Sequence, residues 1–165
     1  MARVLIVGCG CRGRLLARAL RERGHAVRGT TRDPSRAAEI EAAGAEAWVG
    51  DPDRIGTLTY ALDGVTILCW LMGSARGSDE QLAALHGTRL QMLLERTIDT
   101  TVRGLVYEAA GSVDPALLDA GAETVRAACT KSEIPNALLD ADPDDAEAWR
   151  DRALARVEEL LAFAR

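Results

Sequence analysis

The stretch Val4-Leu5-Ile6-Val7-Gly8-Cys9-Gly10-Cys11-Arg12-Gly13 decides how the chain is read. Four apolar, largely β-branched residues in a row fit a strand buried on both faces better than an amphipathic helix. Three glycines follow with G-x-G-x-x-G spacing, and beyond them Leu15, Leu16, Ala19 and Leu20 recur at helical spacing until Gly24, a C-terminal stop. Glycine spacing alone is a weak signal, compatible with a turn that binds nothing. Its place between a strand and a helix strengthens it, because a dinucleotide-binding turn needs that context. Gly8 would allow the tight turn, Gly10 would let the backbone approach a pyrophosphate, and Gly13 would let helix and strand pack closely. Cys11 and Arg12 lie between them, where the N–H groups of the first helical turn face an anion.

Outward from this turn the same alternation repeats. Ala26 to Thr31 reads as a second strand, Pro34 to Ala43 as a helix stopped by Gly44, and Ala45 to Val49 as a third strand. Ile55 to Leu62 follows as a short helix, Val65 to Leu71 as a strand, and Asp79 to Thr97 as one long helix. Val102 to Tyr107, a helix from Pro115 to Lys131, a short strand at Ala137 to Leu139 and a last helix from Asp145 to Ala164 complete the series. Six strands alternating with six helices predict an α/β fold, a doubly wound parallel six-stranded sheet in three layers. The expected strand order is 3-2-1-4-5-6, a Rossmann-like arrangement. No linker or repeat interrupts residues 1–165, so a single NAD(P)-binding domain is expected. These elements use nearly all of the 165 residues, which leaves little for a separate substrate domain.

Hydrophobic residues make up 48% and charged residues 27%, proportions that exclude a disordered or collagen-like chain. Twenty basic against twenty-five acidic side chains give 20 − 25 = −5, which argues against a nucleic-acid partner. The longest apolar run, Val65 to Gly73, falls short of the ~20 residues of a membrane span, and no secretory signal is evident. A cytoplasmic protein with no membrane partner is the expectation. Lys131 is the one lysine, four cysteines are expected as free thiols, and His25 and His86 alone make no metal cluster. The run Asp140 to Asp145 reads as a solvated helix start.

An acid about 20 residues beyond the glycine turn would hold the adenosine ribose of NAD. Here the segment is Arg28-Gly-Thr-Thr-Arg32, with no acid before Asp33. Thr31 and Arg32, joined by Arg12, could hold a 2′-phosphate by charge-assisted hydrogen bonds, which favours NADP over NAD. A solvated Arg32 is the alternative. Cys9 and Cys11 are either redox-sensitive thiols or small residues fitting a crowded turn. Glu108 reads as a substitute acid or base, or as a surface or capping residue. Trp70 and Met72 either line the pocket or pack, His86 reads as structural, and Trp149 as core.

Across most of its length the chain resembles atypical or extended short-chain dehydrogenase/reductases, including the NmrA-like group. The matching stretches are Gly8 to Gly13, Gly24 to Pro34, Val49-Gly-Asp-Pro-Asp53, His86-Gly-Thr88 with Leu93-Leu94, and Val102 to Tyr107. The resemblance implies that Asp51 contacts the adenine. It also implies that Cys69 to Gly73, with Trp70 and Leu71, lies under the nicotinamide side. Active members carry a Ser after the fifth strand and a Tyr-x-x-x-Lys pair on the next helix, where the Lys lowers the Tyr pKa. Here Ala110 aligns with that Ser, Ser112 lies two residues later, Lys131 has no Tyr four residues upstream, and Ala84 aligns with the Asn of the fourth helix. A second resemblance, to the nucleotide-binding RCK domains that regulate potassium transport, rests on the glycine turn with Arg14, Gly24-His25 and Ala45 to Asp51. The expected function is therefore an NADP(H)-binding sensor or regulator that reads the NADPH/NADP ratio and acts on a protein partner or as a homodimer. An NADPH-dependent reductase of a flavin-, quinone- or carbonyl-type acceptor is the alternative, and catalytic residues remain unassigned.

Overall fold

Six strands lie side by side because each presents apolar residues on both faces and each is followed by a helix or turn that returns the chain to the same sheet end. The computed structural model describes residues 1–164. Its strands are β1 (Arg3–Val7), β2 (Ala26–Thr31), β3 (Glu46–Val49), β4 (Ile67–Trp70), β5 (Gly104–Glu108) and β6 (Asn136–Leu139). All five pairings are parallel, in the order β3-β2-β1-β4-β5-β6 expected from the alternation. The order reverses between β1 and β4, where a doubly wound sheet opens a crevice at its carboxyl edge.

Helices cover both faces. On one side α1 (Cys11–Glu22), α2 (Ala37–Ala42) and α6 (Ala146–Phe163) bury Leu16, Leu20, Ile40, Val157 and Leu160 against Val4 and Ile6. On the other, α3 (Asp79–Leu85), α4 (Thr88–Thr97) and α5 (Pro115–Ser132) bury Leu85, Leu90, Leu93 and Val125 against Leu5 and Val7. Neighbouring residues of β1 thus serve opposite cores, as the two-residue pleat requires. Each such side chain contributes roughly 1.5–3 kcal/mol by leaving water. Among the described residues no helix is long and apolar enough to cross a membrane, and no cluster of three metal-ligating side chains occurs.

Three segments differ from the sequence expectation. The stretch 55–62 forms two 3-10 turns, Ile55–Leu58 and Tyr60–Leu62, while the helix after Pro34 opens with a 3-10 turn over Pro34–Arg36. More consequentially, the helix expected over Asp79 to Thr97 is broken at His86 and Gly87. The break follows from the His86 ring, which is buried against β5 and the segment after β4. Its Nε2 lies 2.9 Å from the Met72 carbonyl oxygen and its Nδ1 lies 2.7 Å from the Tyr107 hydroxyl. A carbonyl only accepts, so these partners assign the proton to Nε2 and make Tyr107 the donor to Nδ1. Glycine next to it, a poor helix former, yields at low cost.

Burial holds the His86 pKa below its ordinary value of 6.5. The folded protein keeps this ring neutral while the unfolded chain protonates first, so stability is full above that value and is lost as pH falls through it. Going from about pH 7.5 to about pH 5.5 is expected to lower stability through this residue. Urea unfolding of the protein and of His86→Gln at both pH values checks this: the variant should show the shallower dependence, and equal slopes would remove His86 as the cause.

Candidate functional site

The segments that leave the carboxyl ends of β1 to β4 enclose a cleft of about 310 Å³. Gly8, at the end of β1, has φ 90°, and a Cβ there would collide with the Leu71 carbonyl. Glycine is therefore required by the fold at this point. Gly13, in the first turn of α1, has the Gly8 carbonyl oxygen 3.1 Å from where its Cβ would stand, so its smallness lets helix and strand approach. Gly10 differs from both. Its φ of −83° suits any residue, and a Cβ there would meet no atom of the protein within 4 Å. What a glycine at this place keeps clear is the space above the turn.

That space is electropositive. α1 begins without a side-chain cap at Gly10 and without an acid in its first turn, so its leading N–H groups point outward unpaired by side chains. Arg12, Arg14, Arg32 and Arg36 line the cleft, and among the described residues no carboxylate does. Two acids outside the lining pair with these arginines: Glu39 lies 3.4 Å from Arg14 and 3.7 Å from Arg36, and Asp53 lies 3.8 Å from Arg32. Asp33 accepts hydrogen bonds from the Ser35 hydroxyl (2.7 Å) and N–H (2.9 Å), which hold its carboxyl below the usual range. The first acid after β2 is thus committed to starting the next turn.

Of the residues the sequence singles out, Gly8, Gly10, Arg12, Thr31, Arg32 and Leu71 line this cleft together. Cys11 and Gly13 line a smaller adjoining recess of about 80 Å³ with Glu108 and Trp149. Asp51 lies between two cleft residues, Gly50 and Pro52, with its carboxylate accepting the Asp53 N–H at 2.9 Å. Trp70 is not brought to the cleft: its side chain is fully buried in the core beneath α4 and α5, and Leu71 and Met72 stand at the cleft instead. Cys9 is buried and its thiol is pushed up to about 12 by that burial, so it is not an exposed reactive group.

Glu108 is buried rather than on the surface. Its Oε1 accepts the Gly73 N–H and its Oε2 accepts the Trp149 Nε1–H, both at 2.7 Å. Burial pushes its carboxyl above the ordinary range, against the opposing pull of those two hydrogen bonds and of the Arg12 charge. The Arg12 guanidinium in turn stands 5.9 Å from the centroid of the Trp149 ring. Sequence reasoning did not join Arg36 and Ser74 to the site. Both follow sheet strands at the carboxyl edge, where loops converge whatever their composition.

The sequence matches the model of a family described as NAD(P)H-binding over residues 8–130. No curated protein matches it. Among solved structures it is similar to the triphenylmethane reductase of Citrobacter sp. complexed with NADP(H), at 22% identity and a TM-score of 0.63 over 82% of this chain and 48% of that one. It is also similar to a short-chain dehydrogenase/reductase superfamily protein of Agrobacterium tumefaciens with bound NAD, at 21% identity and a TM-score of 0.67 over 82% and 48%. A third is the UDP-glucuronic acid 4-epimerase of Bacillus cereus in complex with UDP-glucuronic acid and NAD, at 16% identity and a TM-score of 0.65 over 82% and 55%. At these identities the likeness is one of fold, and the chain spans about half the length of these structures.

The contrast between the glycines is testable. Gly8→Ala should cost about 2–4 kcal/mol in urea unfolding, from strain and collision together. Gly10→Ala should cost about 1 kcal/mol or less, the difference between glycine and alanine at a helix start, while weakening dinucleotide binding. A Gly10→Ala protein that binds as well as the parent would remove the role given to this position.

Proposed function

Because the chain belongs to the NAD(P)H-binding family, we propose that it is a single-domain NADP(H)-binding module that acts as a sensor or regulator toward a protein partner. The observation that carries the reading is Gly10, a glycine at the start of α1 whose missing side chain the fold itself does not require. A pyrophosphate over the open start of α1 makes use of that space. Thr31 and Arg32 at the end of β2 serve an adenosine 2′-phosphate, with Arg36 and Arg14 adding charge of the right sign. Asp33, the first acid after β2, is spent on Ser35 rather than offered to a ribose hydroxyl. This combination supports NADP over NAD.

A regulatory rather than catalytic role is supported by what lines the cleft. Among the described residues neither a tyrosine nor a lysine does so. Tyr107 is buried with its hydroxyl on His86, Tyr60 is exposed on a 3-10 turn, and Lys131 lies on the α4 and α5 face. The reductase alternative would have to draw its proton from solvent or from Glu108, whose two oxygens already accept hydrogen bonds.

Titration with NADPH, NADH and ATP tests the cofactor assignment, and NADPH should bind most tightly. Arg32→Asp should weaken NADPH by about 10- to 100-fold, the worth of one charge-assisted contact, and weaken NADH much less. Equal weakening would sink the 2′-phosphate role. With NADPH bound, a panel of flavin, quinone and carbonyl acceptors should leave it unoxidised; sustained turnover would favour the reductase.

A further inference from the structure

Resting on the NADP(H) reading, we propose that the site grips the dinucleotide by its phosphoadenosine half alone and leaves the nicotinamide unclamped, so that oxidised and reduced cofactor are held alike. The strand order fixes the directions. Phosphates over the start of α1, with the adenosine toward β2 and β3, send the nicotinamide toward the carboxyl ends of β4 and β5. The 310 Å³ cleft with its four arginines spans the exits of β1 to β3 and ends against Leu71, Met72, Ser74 and Ala75 after β4. Toward β5 and α6 the space narrows to the 80 Å³ recess, about a quarter of that room.

The recess is small because the segments leaving β4 and β5 are fastened to each other. The Val113 N–H donates to the Gly73 carbonyl at 3.0 Å, and the Ser112 N–H donates to the Ser74 hydroxyl at 3.2 Å. A Cβ on Gly73 would strike the Ala110 carbonyl, and one on Gly111 would strike the Gly73 carbonyl. Trp149 then enters from α6 and closes the remaining gap against Glu108. Its indole N–H, the Gly73 N–H and both Glu108 oxygens satisfy one another. None of these groups is left over to orient a nicotinamide carboxamide, and opening the recess would break both hydrogen bonds. Such a module would register the size of the NADP pool rather than its redox ratio.

The test is calorimetric titration of the full chain with NADP, NADPH, 2′-phospho-ADP-ribose, which lacks only the nicotinamide, and nicotinamide mononucleotide. The first three are expected to bind within about threefold of one another and the mononucleotide not to bind, and the emission of NADPH should change little on binding. A loss of about tenfold or more for 2′-phospho-ADP-ribose, a similar gap between NADP and NADPH, or a strong rise in NADPH emission would overturn the proposal. Failure of all three to bind would strike the NADP(H) reading itself, a distinguishable result. Trp149→Phe, which keeps an aromatic ring but is smaller and lacks the indole donor, supplies a second variant: loosening the recess should raise NADP affinity relative to 2′-phospho-ADP-ribose, and an unchanged ratio would count against Trp149 as the plug.

Discussion

The close approach of Gly8 to the Leu71 carbonyl governs the carboxyl edge of this sheet. β1 is hydrogen-bonded to β2 on one side and β4 on the other, so the chain leaving it has no lateral freedom. It can only turn upward, in a conformation that side chains other than glycine resist. From that turn the start of α1 falls over the switch point, Gly13 lets the helix settle on β1, and the leading amides face the cleft. Every functional residue discussed above is located relative to this one contact.

Charge distribution supplies the second half of the site. The chain is acidic as a whole, yet its cleft is lined by arginines alone among charged groups of the described residues. The acids that balance them sit beside them in partly exposed pairs, Glu39 between Arg14 and Arg36, and Asp53 beside Arg32. Exposed pairs of this kind are worth about 0–1 kcal/mol. A phosphate, which accepts two parallel hydrogen bonds from a guanidinium, competes with them on favourable terms. The pairs therefore hold the arginines in position without blocking them.

Strand order and the glycine turn were legible in the sequence because both are written in local period and local spacing. The placement of Gly8, Gly10, Arg12, Thr31 and Arg32 on one cleft follows from strand order and loop position together. The position of Trp70 was legible too, through parity: it pairs with Val7, shares a sheet face with Leu68, and must point into the core under α4 and α5. Reading the segment 69–73 as one block hid that alternation. The broken helix at His86 and the Glu108 to Trp149 bond were not legible, because each depends on partners far apart in the chain. No local pattern announces that a histidine will turn inward to a tyrosine 21 residues away.

The fastening of the β4 and β5 exits bears on how such a chain can diverge. Gly73, Gly111, Glu108 and Trp149 form a set in which each member is tolerable only because the others are present. Changing Glu108 alone strands two buried donors, and enlarging either glycine alone drives the two backbones apart. Single substitutions are therefore penalised in every direction, whereas a concerted change of several could reopen the crevice. Seen this way, the set is an epistatic lock, which several substitutions made together can release and one residue at a time cannot.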